Sequence, residues 1–134
     1  MLGEHLGTIS GETTGLRVLS AEGGHAVTET SFMATGTLIG VAIKDMGTYE
    51  AVLRADGTLY GEGQGVSMTQ AGESITWHGT GVGRFDDSGG VNWRGAIFYE
   101  SAAAQFARIN GIAAVFEFDT DESGKVSGSI TEWK

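Results

Sequence analysis

The chain has 134 residues, among them 23 glycines, no proline and no cysteine, and its 17 acidic against 8 basic residues give a net charge of −9. That length fits one domain, 1–134, burying about two-thirds of its unfolded surface. The absence of cysteine excludes disulfides, thiolate chemistry and cysteine–zinc sites. The acidic balance would repel phosphate backbones and anionic bilayers, so neither nucleic acid nor membrane is an expected partner.

No apolar run reaches the length of about eighteen residues that a membrane-spanning helix needs, and Met1–His5 lacks the basic and apolar regions of a signal peptide. The expectation is a cytoplasmic protein. Turn signals recur roughly every ten residues, the rhythm of an all-β meander. They are Glu22-Gly23-Gly24, Asp45-Met46-Gly47, Asp56-Gly57, Ala71-Gly72, Asp86 to Gly90, and Asp121 to Gly124. Between them lie candidate strands at 6–20, 26–35, 37–44, 48–55, 58–69, 73–85, 91–100, 113–119 and 125–133. Ser101 to Gly111 breaks the pattern with helix formers, apolar residues at helical spacing and an Asn-Gly stop. A short helical turn near 102–110, packed by Phe106 and Ile109, is predicted there.

Gly61, Gly63 and Gly65, then Gly79, Gly81 and Gly83, then Gly95 alternate along three successive strands. Period two places all of them on one face. Each glycine costs a strand about 0.5–1 kcal/mol against alanine, so the series calls for a reason. Sharp bending of a closing sheet, or the close approach of another group, supplies one. The series therefore predicts a small, tightly curled barrel. Alanine disfavours positive φ, so the loop at Gln70-Ala71-Gly72 is read as three residues with Gly72 left-handed. This pairs Thr69 with Glu73, Gly65 with Trp77, Gly63 with Gly79, and Gly61 with Gly81.

In that register the glycine face also carries Leu59, Trp77, Phe85, Trp93, Ile97 and Tyr99, while the opposite face carries Glu62, Gln64, His78 and Arg94. Glu62, His78 and Arg94 form a candidate proton-transfer trio, provided that their face lines the interior. Against this stands a ladder of cross-strand pairs facing water or another subunit. Gln64, Trp77, Trp93 and Tyr99 are the candidate ligand-binding residues, although tryptophans flanked by glycine are more often core plugs that fill the space glycine leaves. His5, His25 and His78 are scattered, and Asp119, Asp121 and Glu122 lack calcium-loop spacing, so no metal is expected. The glycine runs imitate dinucleotide fingerprints, but neither opens a helix. There is no G-x-S-x-G nucleophile either.

The run Trp77 to Arg84, followed by Val91 to Ile97, resembles small bacterial barrels of the allene oxide cyclase-like group, to which the dirigent proteins are similar in architecture. So does Phe106 to Ala113 feeding Val115-Phe116-Glu117-Phe118. The resemblance covers roughly residues 30–133 and rests on glycine and turn motifs. It implies an eight-stranded antiparallel up-and-down barrel with a cavity, and a homo-oligomer. Members of the group steer cyclisation or coupling of hydrophobic intermediates without a cofactor. The plant cyclases use a glutamate assisted by a cysteine, which this chain lacks. The expectation is a barrel that binds an apolar or aromatic small molecule, with cofactor-free isomerisation or cyclisation as its chemistry. The alternative is a non-catalytic oligomeric scaffold or interaction module.

Overall fold

A computed structural model describes all 134 residues. Eight antiparallel strands close into one barrel in chain order: β1 (Leu2–Ser20), β2 (Val27–Leu38), β3 (Val41–Leu53), β4 (Leu59–Met68), β5 (Ser74–Phe85), β6 (Val91–Glu100), β7 (Ala113–Thr120) and β8 (Lys125–Trp133). The all-β, up-and-down expectation holds, and with it the eight strands. The strands are staggered, as closure requires. The inward ladder that leaves β1 at Val18 runs through Thr28, Ala51, Gly61, Gly81, Gly95, Phe116 and Ile130, and returns to β1 at Gly7.

The β4–β5 register is the expected one. Thr69 N–H donates to the Glu73 carbonyl at 3.0 Å, and Gly72 has φ 86°. One expected turn is absent. Asp45-Met46-Gly47 lies inside β3, and candidate strands 37–44 and 48–55 are largely one strand that begins after a tight turn at Ile39-Gly40. Both turn residues have positive φ, 42° and 80°, as a two-residue hairpin loop demands. Ile39 accepts that conformation while packing against the core.

The two ends of the barrel differ. At the end holding both termini, a short 3₁₀ helix (Ala104–Gly111) lies across the opening with Phe106 and Ile109 fully buried. They join Leu6, Leu38, Ile43, Ile75 and Tyr99 in the main core. Asn110 fixes the segment by donating to the Ser101 carbonyl at 2.9 Å and accepting from Ser101 N–H at 2.8 Å. The opposite end is ringed by the hairpins at 54–58, 86–90 and 121–124. Phe85, which alternation puts on the glycine face, sits exposed at that rim, opposite Val91.

Candidate functional site

The glycine face is the inner one. Most of its glycines are there because an indole or a neighbouring strand occupies the space a side chain would take. Trp77 lies over Gly47 and Gly65, and a Cβ on Gly47 would come within 2.6 Å of its ring. Trp93 lies over Gly61 and Gly83, with a Cβ on Gly61 falling 2.7 Å from that ring. At Gly95 the obstruction is the Thr80 carbonyl, the mark of a sharply bent sheet. Gly79 is the exception. A Cβ there would meet nothing closer than 3.4 Å.

That spare room belongs to an interior cavity of about 80 Å³. Its wall includes Phe32, Tyr49, Trp77, Trp93, Tyr99 and Phe118. The rings brace one another: Tyr49 meets Trp93 edge-on at 5.6 Å between centroids, and Phe32 lies 5.0 Å from Phe118. Three of the four sequence-predicted binding residues, Trp77, Trp93 and Tyr99, therefore line one space. The fourth, Gln64, points outward and donates to the Thr48 carbonyl at 3.2 Å.

The predicted proton-transfer trio faces out as well. Glu62, His78 and Arg94 are all exposed. Glu62 accepts a 2.7 Å bond from the Tyr60 hydroxyl. Arg94 pairs with Asp119 at 2.9 Å and Glu117 at 3.4 Å. His78 stands between Gln64 and Phe98 in the outer ladder. The condition attached to the trio, a polar face turned inward, is not met. With seven glycines on one side, only that side leaves room for the rings that fill a small barrel.

The buried carboxyl of the cavity is one that sequence reasoning placed in a turn. Asp45, only 6% exposed, accepts from Trp77 Nε1–H at 2.8 Å and from the Ser67 hydroxyl at 3.0 Å. Both bonds end on Oδ1, and Asp45 itself lines the cavity. Burial pushes its carboxyl above the usual range, and the bonds from Trp77, Ser67 and the Met46 backbone offset this only in part. Burial likewise raises the Tyr99 and Tyr49 hydroxyls, with the Asp45 charge adding to the effect on Tyr99. None of the ion pairs, which belong to Arg17, Arg94 and Arg108, reaches Asp45. No cluster of three metal-ligating side chains is present. Unbroken alternation through Ile43, Asp45, Gly47, Tyr49 and Ala51 was the signal that could have found Asp45.

The barrel is shared with solved structures. A conserved protein of unknown function from Rhodopseudomonas palustris is 11% identical with a TM-score of 0.81, over 98% of this chain and 97% of that one. A protein of unknown function from Clostridium acetobutylicum is 10% identical with a TM-score of 0.83, over 98% of both chains. A beta-barrel like protein from Acinetobacter baumannii is 12% identical with a TM-score of 0.81, over 99% of this chain and 96% of that one. At such identities the likeness is one of fold. No family model and no curated protein matches the chain. No helix is long and apolar enough to cross a membrane.

Proposed function

We propose that the protein is a cofactor-free binding barrel for a compact small molecule held among the aromatic side chains of its interior. The cavity carries this reading: about 80 Å³ of space remains beside Gly79 in an otherwise ring-filled barrel. An apolar cavity of about 150 Å³ holds benzene. The space here is roughly half of that, so it suits a ligand smaller than an aromatic ring. The resemblance to allene oxide cyclase-like barrels supports the same reading. On it, isomerisation or cyclisation by positioning, with Asp45 as the proton-carrying group, is the turnover such a pocket would perform.

Xenon is the direct probe, because dry apolar cavities take it up. A saturable ¹²⁹Xe shift in the native protein that disappears in Gly79→Leu is the expected result. An unsaturable response identical in both proteins would sink the binding reading and leave the non-catalytic scaffold. Native mass spectrometry of gently purified protein reads any retained ligand. It also reads the subunit count, which the homo-oligomer expectation puts above one.

A further inference from the structure

Asp45 poses a problem that binding of an apolar ligand does not answer. Taking a carboxylate out of water costs several kcal/mol unless a cation accompanies it. Its two side-chain donors, an indole N–H and a hydroxyl, would be served equally well by the carbonyl of an asparagine. The protein supplies no basic side chain there, and both side-chain donors use the same oxygen. No side chain serves the second oxygen, so it and the missing positive charge are open to a visitor. The walls fit the same visitor, since the faces of tryptophan and tyrosine attract cations. The chain's overall charge of −9 draws cations toward it.

We infer that the cavity binds a compact protonated amine, its N–H donating to Asp45 Oδ2 while the rings of Trp77, Tyr99 and Tyr49 surround its alkyl groups. This rests on the reading of the cavity as a binding site. No bond changes except the carboxyl O–H of Asp45, whose proton is released to solvent. Binding holds the carboxylate in its charged form, so a proton leaves Asp45 when the amine arrives at a pH where the empty site is protonated. The other titratable side chains facing the cavity are Tyr49 on β3 and Tyr99 on β6, both pushed up by burial and therefore neutral through the working range. Glu62 on β4 and Glu117 on β7 contribute to the wall but are exposed, and β5 contributes Trp77 with no ionisable group. The closing helix carries Arg108, which does not line the cavity and is held by Glu4 and Glu132.

The test uses dimethylammonium and its neutral isostere dimethyl ether, read by the Trp77 indole N–H resonance of ¹⁵N-labelled protein. At pH 8 the cation should move and saturate that resonance with an affinity at least tenfold above the ether's. Acidification should erode the preference, and Asp45→Asn should abolish it. Equal affinity for the two probes, or a preference unchanged by pH, overturns the inference. Should Asp45→Asn fail to fold, the pH series on the native protein decides alone. Saturable xenon uptake without dimethylammonium binding removes the amine and leaves the cavity reading standing. Loss of both removes both.

Discussion

Two carboxylates lie almost equally buried at different levels of this barrel, Glu132 at 7% exposure and Asp45 at 6%. At the end closed by the 3₁₀ helix, Glu132 receives Arg108 at 2.7 Å, and the same guanidinium reaches Glu4 at 3.1 Å. In the cavity, Asp45 receives only neutral donors and no cation. Where the fold needs a charge only to fasten a lid, it supplies the opposite charge itself. Where a cavity adjoins the charge, it does not. The contrast separates a structural carboxylate from one available to a ligand.

Removing the indole strikes the cavity side hardest. Trp77→Ala should cost about 3–5 kcal/mol in denaturant unfolding, since it empties the space over two glycines and strips Asp45 of a donor. A loss below about 1 kcal/mol would mean that the interior collapses around the gap. On the lid side, Arg108→Ala should cost about 1–3 kcal/mol by leaving Glu132 without its partner. Arg108 is partly exposed, which keeps the figure below that of a fully buried pair. A neutral outcome would erase the distinction between the two carboxylates.

The third comparison is of pH dependence. Asp45 holds its proton more tightly folded than unfolded, so its contribution to stability is complete below the ordinary carboxylate value of 3.8 and is lost as pH rises through the raised one. Asp45→Asn should therefore gain on the native protein through that window, with a slope of at most about 1.4 kcal/mol per pH unit, and then run parallel to it. Asp56, Asp86 and Asp121 at the hairpin tips work in the opposite sense. Each is held below the usual range by bonds from the residues just after it, so its contribution is lost on acidification. They are common to both proteins and cancel in the difference. A flat difference curve would place Asp45 in contact with water.

Smaller effects sharpen the picture. Gly79→Ala should be neutral or stabilising by about 0.5–1 kcal/mol, because a strand glycine is replaced where a methyl group fits. It should also weaken xenon uptake, whereas clear destabilisation would show that the space beside Gly79 is not there. Glu62→Gln, His78→Ala and Arg94→Ala should each stay within about 0.5 kcal/mol of the native protein, as exposed substitutions usually do. They should leave xenon uptake untouched, and a change in uptake would return the outer ladder to the functional site.

Much of the fold is written locally. Period-two glycines name their own face, Ala71-Gly72 sets the β4–β5 register, and Phe106 and Ile109 announce a helical turn that packs inward. The site is less local. Asp45-Met46-Gly47 carries turn residues, and nothing nearby says that the aspartate is buried. Its partners, Ser67 and Trp77, lie 22 and 32 residues further along the chain. Gly47 looks like turn punctuation but is the seat of the Phe32 and Trp77 rings. Glu62, His78 and Arg94 drew attention because polar residues converged on one face. Which face turns inward is decided by where the rings fit, and that emerges only once the sheet closes.

The most direct measurement is the titration of Asp45 itself, followed by the ¹³Cγ resonance of ¹³C-aspartate-labelled protein with and without dimethylammonium. The account expects a midpoint clearly above 3.8 in the free protein, moved downward when the amine is present. A midpoint at or below 3.8, indifferent to the amine, would contradict it.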